Sequence, residues 1–513
     1  MILVYQDSRK VTSVETLCES FKPLFRSEII CDVLFELAQN HPDQLIIWCH
    51  DDCKNLLDVA SIQDIFTHNN MLASYNPTSN FLPESIGYVE ESSFIKVNKS
   101  VRFPTWRMSS LVGGIHASTL NLKSVKKLRS ISFDYFLNSV AKLGMPNGLR
   151  CYSDPRFLNG KASVVTRSAS TAQLFEFVGQ HYKKSWVFLM LLNFILYQKK
   201  YPIWSAIRSL FYARRRLSFI ELSTIPVKGH TEMPLEKTID VLIPTIGRES
   251  YLLDFLNDLK SQTLLPKRII IVEQNPLEGS KSALEYLYDR QWPFAIKHIF
   301  IHQSGVCNAR NLALSELKND WVFLADDDIR IESDFLERAM NQIYENGNQV
   351  NNICCLQKGQ KSEVKIVHQT TIFGSGCSIV SAKSIGDSTF NTAFEFGFGE
   401  DSDFGCQLMN KGYSIEYLPK PIILHLKAPM GGFRIKPVHA WAADSIQPKP
   451  SPTVMLFKMK NHTKEQLQGY KIILFFKYYP LQSIRNPIRY FKSMSKQWSR
   501  SVFYAQWLLN NRR

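Results

Sequence analysis

The stretch "WVFLADDDIRIE", residues 321–332, decides how this chain is read. Its apolar start, Trp321 to Leu324, has the continuous hydrophobicity of a strand buried on both faces. It runs straight into three carboxylates, Asp326, Asp327 and Asp328. Adjacent negative charges repel, and folding gains nothing from that repulsion unless a cation or a positive ligand is held there.

Working outward, residues 238–328 alternate strand and helix patterns. "TIDVLIPT" reads as a strand ending at Pro244, "RESYLLDFLNDLKSQ" as a helix, "RIIIVEQ" as a second buried strand, and "CNARNLALSELKND" as another helix. Apolar strands separated by helices predict a parallel sheet covered on both faces. Ligands of such sheets bind at the carboxyl ends of the strands. Here those ends carry Thr245, Glu273 and the Asp triplet.

A second acidic cluster follows in "FGFGEDSDFGCQL", with Glu400, Asp401 and Asp403 after a glycine-rich turn. Before it lies "IFGSGCSIVS", whose glycines let backbone approach a ligand. After it, "ILHLKAPMGGFRIK" places His425 at the end of an apolar strand, with Lys427 and Arg434 beyond. Two carboxylate clusters, a histidine and nearby cations suit a divalent ion bound through oxygens beside a diphosphate. Lys427 and Arg434 are expected to close over that diphosphate.

These motifs, "VLIPTIGR", "IIIVEQ", "GVCNARNLAL", "FLADDD", "FGSGCSIVS" and "GFGEDSDFG", occur in the order of a family-two inverting glycosyltransferase, which residues 238–426 resemble. The resemblance implies an α/β fold of GT-A (Rossmann-like) type with a mostly parallel sheet. It implies a metal-dependent enzyme using a nucleotide-sugar donor, UDP-sugar foremost, and Mn2+ or Mg2+. It assigns the nucleoside to Pro244, Thr245, Arg248 and Glu273, where most relatives carry Asp. Arg310 and Asn311 would lie along the sugar nucleotide. Asp326 would serve the ribose and sugar side, with Asp327 beside it, and Asp328, Asp326 and His425 would form the metal group. Asp401 would be the catalytic base and Glu400 would orient the acceptor, with Gly374, Ser375 and Gly376 on the acceptor side. A glycan or lipid-linked acceptor of a surface polysaccharide is implied in the same way.

The N-terminal half echoes this half in order: "PDQLIIWCHDD" (42–52) with "NDWVFLADDD", "SSLVGGIHASTLNLKSV" (109–125) with "TTIFGSGCSIVSAKSI", and "YQKKYPIWSAIRSLFY" (197–212) with "FFKYYPLQSIRNPIRYF". Where the second copy has "FGEDSDFG", the first offers "SFDYFLNSV", with the single carboxylate Asp134. The expectation is therefore a shorter, degenerate GT-A-like domain over 1–220 and a linker over 221–237. A catalytic domain over 238–430 and a basic, aromatic helical region over 431–513 follow.

The net charge of +15 is concentrated at the C-terminal end. From Lys427 to Arg513 there are sixteen basic residues against two acids, Asp444 and Glu465. With aromatics interleaved, residues 471–513 are expected to meet an anionic membrane surface. No nucleic-acid module accompanies them, so no nucleic acid is expected. The N-terminus lacks a signal-peptide pattern, and the most apolar run, Trp186 to Tyr197, is too short to span a bilayer. A cytoplasmic protein held at the inner face of the plasma membrane is the expectation. Ten irregularly spaced cysteines fit a reducing compartment, and "WCHDDC" (48–53) is read as packing rather than a metal site. The other class of function that fits is a sugar-nucleotide-binding scaffold that has lost its chemistry.

Overall fold

The structure is a computed structural model. It describes the chain apart from residues 17–19, 22–26, 28, 161, 163–166, 226–232, 234–235, 429–437 and 512–513. Most of the expected linker, and Arg434, lie outside the described residues. The chain divides into two compact units, Met1–His230 with His462–Gln482, and Thr231–Asn461 with Ser483–Arg513. The C-terminal region expected as one block is thus shared between them.

The strands of the first unit are β1 (Ile2–Gln6), β2 (Val11–Thr16), β3 (Ser20–Phe21), β4 (Leu45–His50), β5 (Met71–Tyr75), β6 (Phe103–Pro104), β7 (Val112–His116) and β8 (Arg150–Ser153). Those of the second are β9 (Ile239–Thr245), β10 (Arg268–Gln274), β11 (Ala295–Ile301), β12 (Trp321–Ala325), β13 (Ile329–Arg330), β14 (Val350–Gln357), β15 (His368–Thr370), β16 (Cys377–Ser381) and β17 (Ile415–His425). The longer helices, in chain order, are α1 (Ile30–Asn40), α2 (Phe133–Gly144), α3 (Thr171–His181), α4 (Ser185–Asn193), α5 (Ile203–Phe211) and α6 (Glu249–Lys260). They continue with α7 (Val306–Leu314), α8 (Phe335–Asn346), α9 (Glu400–Asn410), α10 (Pro452–Asn461), α11 (Lys464–Tyr478) and α12 (Pro487–Asn510).

The sheet of the second unit is ordered β11-β10-β9-β12-β16-β14-β17-β13, with β15 beside β17. Strands β9, β10, β11, β12, β14 and β17 run one way, and β13, β15 and β16 run against them. Four parallel neighbours, β11 to β12, make up the half expected to hold the nucleotide. Their side chains are buried from both faces in β9, β10 and β12, as the unbroken apolar runs require. The one acid inside β9, Asp240, accepts from the Lys318 and Asn319 backbone N–H groups at 2.8 and 3.2 Å. It ties the strand to the turn before β12. Helix α6 buries Leu252, Phe255, Leu256 and Leu259, the stripe its periodicity predicts. Helix α7 ends at Leu314, earlier than its sequence pattern suggests.

The sheet of the first unit is ordered β3-β2-β1-β4-β7-β5-β8-β6. Its block β1, β4, β5, β7, β8 repeats the neighbours and the pairing directions of β9, β12, β14, β16, β17. The antiparallel ribbon β2–β3 lies where the second unit has the parallel strands β10 and β11. The second helical position of α2 is Asp134, which accepts from Ser110 through the backbone N–H at 2.7 Å and the hydroxyl at 2.8 Å. Burial pushes its carboxyl up to about 6. Cys49 and Cys53 are buried, and His50 Nδ1 accepts from the Asp52 N–H as a helix cap. This is the packing role expected of "WCHDDC". Among the described residues no helix is long and apolar enough to cross a membrane.

Candidate active site

The carboxyl ends of β9, β10, β12 and β17 surround a cavity of about 310 Å³. It is lined by Pro244, Thr245, Ile246, Arg248, Gln274, Ser304, Gly305, Val306, Arg310, Asp326, Asp327, Asp328, Glu395, Phe396, Gly397, Glu400, His425, Lys427 and Ala428.

The three aspartates of the triplet have three different surroundings. Asp327 turns back toward β9, where the Thr245 hydroxyl donates to it at 2.7 Å and Arg248 Nη1 at 2.6 Å. Burial pushes its carboxyl up to about 6 despite Arg248. Asp328 accepts from the Ala428 N–H at 2.9 Å and lies 3.3 Å from His425 Nε2. Burial acts to raise its carboxyl, but His425, the Ala428 N–H and Arg248 outweigh it and hold the group at about 2. The antiparallel pairing of β13 with β17 sets Ile329 opposite His425, which brings the histidine to Asp328. The Asp328 hydrogen bond raises His425 in turn. Asp326 is raised by burial and accepts from Arg310 Nη2 at 3.3 Å.

Ligand atoms of Asp326, Asp328 and His425 lie within 4.8 Å of one another. They form the one such group found among the described residues. Two carboxylates and one imidazole, oxygen-rich with a single nitrogen, suit Mn2+ and also Mg2+. The loop before β16 backs this group. A Cβ on Gly376 would stand 2.1 Å from Asp326 Oδ2, so only glycine fits there.

Helix α9 begins at Glu400, after Gly399 in the left-handed region (φ 112°), and carries Glu400, Asp401 and Asp403 in its first turn. Glu400 lines the cavity, and burial, then the neighbouring Asp401, pushes it up to about 7. Asp401 lies beside the cavity, where the Ser375 hydroxyl donates to Oδ1 and Arg310 Nη1 is 3.6 Å away. Buried Arg310 thus spans the space between Asp326 and Asp401. Its Nε–H has no hydrogen-bond partner.

Glu273 and Asn311, both read as site residues, do not line the cavity, and neither does Asp403 of the second acidic cluster. The Glu273 carboxylate accepts from the Ser282 hydroxyl (2.5 Å), the Ala283 N–H (2.9 Å) and His298 Nε2 (2.9 Å), all from its own side of the unit. Asn311 is bonded at both ends to the Phe390 backbone, donating to its carbonyl and accepting from its N–H at 2.8 Å each. That pairing anchors α7 to the chain at Phe390. Asp403 is fully buried and accepts from Lys460 at 2.8 Å and Asn461 at 2.9 Å, joining α9 to α10. Gly374 donates its N–H to Asn352 Oδ1 at 3.0 Å, and Lys427 lines the cavity with φ 55°. His302 and His368 contact backbone carbonyls, and Cys307 is fully buried, which raises its thiol and disfavours a thiolate there.

Gln274 and Glu395 line the cavity without having been singled out. Gln274 Oε1 accepts from the Gly305 N–H at 2.6 Å, and Glu395 accepts from the Cys307 and Asn308 N–H groups at 3.1 Å each. A Cβ on Gly305 would meet the Glu395 carboxyl at 2.5 Å. The signal for Glu395 is an acid inside an aromatic run, "FNTAFEFGFG".

The family model described as "Glycosyl transferase family 2" matches residues 240–417. The second unit therefore carries a glycosyl transferase family 2 domain, of GT-A fold, as its motifs suggested. Comparison with curated proteins found no match. Among solved structures, Staphylococcus aureus TarS 1-349 is similar at 18% identity and a TM-score of 0.32, over 37% of this chain and 60% of that one. This chain therefore spans less than two-thirds of that relative. The same protein in complex with UDP-GlcNAc aligns at 18% identity and a TM-score of 0.34, over 46% of this chain and 70% of that one. GalNAc-T7 with UDP, GalNAc and Mn2+ aligns at 10% identity and a TM-score of 0.31, over 37% and 43%.

Proposed function

We propose that this protein transfers a sugar, with inversion, from a nucleoside-diphosphate sugar to a hydroxyl of a glycan or lipid-linked acceptor in surface-polysaccharide synthesis. UDP-sugars are the donor class we favour. The observation that carries the reading is Arg310, held between a metal-compatible carboxylate, Asp326, and a second carboxylate, Asp401, at one edge of the cavity.

In this account Asp326, Asp328 and His425 hold a divalent ion. When bound, that ion neutralises charge on the departing nucleoside diphosphate. Arg248 and Thr245 hold Asp327, and so fix the wall of the nucleoside side. Lys427 adds positive charge where the diphosphate leaves. Asp401 takes the acceptor proton as the hydroxyl oxygen bonds to the anomeric carbon, and the bond from that carbon to the diphosphate breaks on the opposite face. Ser375 and Arg310 fix the direction of the Asp401 carboxylate, and Glu400 orients the acceptor.

The first unit is proposed to be non-catalytic. Its sheet has the ribbon β2–β3 in the position of β10–β11, and Asp134 has its carboxylate filled by Ser110. Residues 471–513 are proposed to meet an anionic membrane, which supports a lipid-linked acceptor. Their exposed Phe476, Leu481, Ile488, Phe491, Phe503 and Trp507 favour that contact, while Tyr490, Met494, Trp498 and Tyr504 are buried within the fold.

Slow hydrolysis tests the reading without an acceptor. The protein is incubated with UDP-glucose, UDP-galactose, UDP-GlcNAc and UDP-GalNAc in Mn2+, and free UDP is measured. One donor should be consumed by the wild type and spared by Asp401→Asn. Binding without turnover of any donor would favour the scaffold instead.

A further inference from the structure

The first unit presents an apolar helix face to solvent. On α5, Ile203, Trp204, Ile207 and Phe211 share one side at helical spacing and are 50%, 82%, 42% and 84% exposed. The helix cannot turn this side inward. Its opposite face, Ala206 and Ser209, is buried, and a Cβ on Gly179 of α3 would stand 2.3 Å from the Ser209 carbonyl oxygen. The two helices therefore meet backbone to backbone at this point. Lys184 Nζ completes the seat by donating to the carbonyls of Ser209 at 3.1 Å and Tyr212 at 2.7 Å. An exposed Trp–Phe stripe on an element fixed this firmly is a surface made to be covered.

Charge identifies what covers it. From Phe177 to Ile220 the sequence holds eight basic residues and no acid. Lys183, Lys199, Lys200, Arg208, Arg214 and Arg216 are exposed. A protein partner as uniformly acidic as this segment is basic would still have to supply an apolar centre. A bilayer containing acidic phospholipid supplies both, with acyl chains for the rings and phosphates for the cations.

We infer that α5 is an interfacial membrane anchor of the first unit, with the Ile203–Phe211 face entering the headgroup region of an acidic bilayer. Aromatic rings sit at that depth with their edges still hydrated, and the flanking cations remain at the phosphate level. The anchor is separate from residues 471–513 and does not depend on the transfer reaction.

The test is co-sedimentation of the full chain with vesicles of phosphatidylcholine alone and of phosphatidylcholine with phosphatidylglycerol. Wild type should bind the acidic vesicles and be weakened by salt. Trp204→Ser with Phe211→Ser should bind roughly tenfold more weakly or worse, since two ring burials are lost. Lys199→Glu with Lys200→Glu and Arg208→Glu should weaken binding without touching the apolar face. Melting temperatures and UDP binding of all variants should match wild type, which separates failure here from failure of the transferase account. Unchanged vesicle binding in both variants would overturn the anchor. So would a dimer in solution that both variants dissolve while wild type ignores vesicles.

Discussion

Arg310 Nη1 lies 3.6 Å from Asp401 Oδ1 while Nη2 of the same guanidinium donates to Asp326 at 3.3 Å. One buried cation thus couples the metal-side carboxylate to the proposed base. Burial raises the Asp326 carboxyl and the guanidinium offsets part of that rise, while both carboxylates are fixed in direction before substrate arrives.

That coupling predicts different outcomes for the two acids that open α9. Asp401→Asn should lower kcat by about 10²–10⁴ with donor binding intact, the range of a lost general base. Glu400→Gln should cost much less in kcat and act mainly on acceptor KM. Steady-state kinetics with a soluble acceptor analogue decides it, and the reverse order of effects would reassign the base to Glu400.

Gly376→Ala tests the seat of Asp326. The added methyl would stand 2.1 Å from Asp326 Oδ2, so the carboxylate must move. A displacement near 1 Å at a reacting centre costs about 10²-fold in rate. Mn2+ affinity should fall with activity while the melting temperature changes little. Full activity would show that Asp326 has no positional role.

Glu400 gives a pH test whose sign is fixed. Unfolded, its carboxyl titrates near 4.5, and burial followed by Asp401 moves it to about 7 in the fold. The native state holds the proton more tightly, so this stabilisation is full below the unfolded value and is lost as pH rises through about 7. Glu400→Gln cannot ionise. Its melting-temperature advantage over wild type should grow from about pH 5 to about pH 8. A difference that is flat with pH would contradict the shift.

Asp403 carries stability rather than chemistry. Asp403→Ala removes an acceptor shared by Lys460, Asn461 and Gln407 and should cost about 1–3 kcal/mol, read from urea unfolding. Donor hydrolysis by the fraction that remains folded should be near wild type.

The parts of the site legible in the sequence were those whose signal is local. Buried strands announced themselves as "TIDVLIPT" and "RIIIVEQ", and their polar ends marked the sheet edge. The triplet read as a cation site because three adjacent charges need a partner. It could not reveal that Asp327 would spend both oxygens on Thr245 and Arg248, since that depends on where β9 ends relative to β12. The partners of Glu273 and Asn311 were hidden for the same reason. Their partners, Ser282, His298 and the Phe390 backbone, are set by loop paths with no periodicity. Asp403 shares the acidic cluster with Asp401, but two residues along a helix is more than half a turn, which points it at α10.

The measurement that bears most directly on the central claim is thermal stability with UDP, with and without Mn2+, on wild type, Asp328→Ala and His425→Ala. A ligand that binds the native state raises the melting temperature by mass action, so no acceptor is required. The account predicts a Mn2+-dependent rise with UDP that both substitutions abolish. Because His425 is raised by Asp328 and must shed its proton to bind metal, the wild-type rise should also shrink as pH falls below neutral. A UDP shift that is the same without Mn2+ and survives Asp328→Ala would contradict the assignment of this aspartate and histidine to a metal.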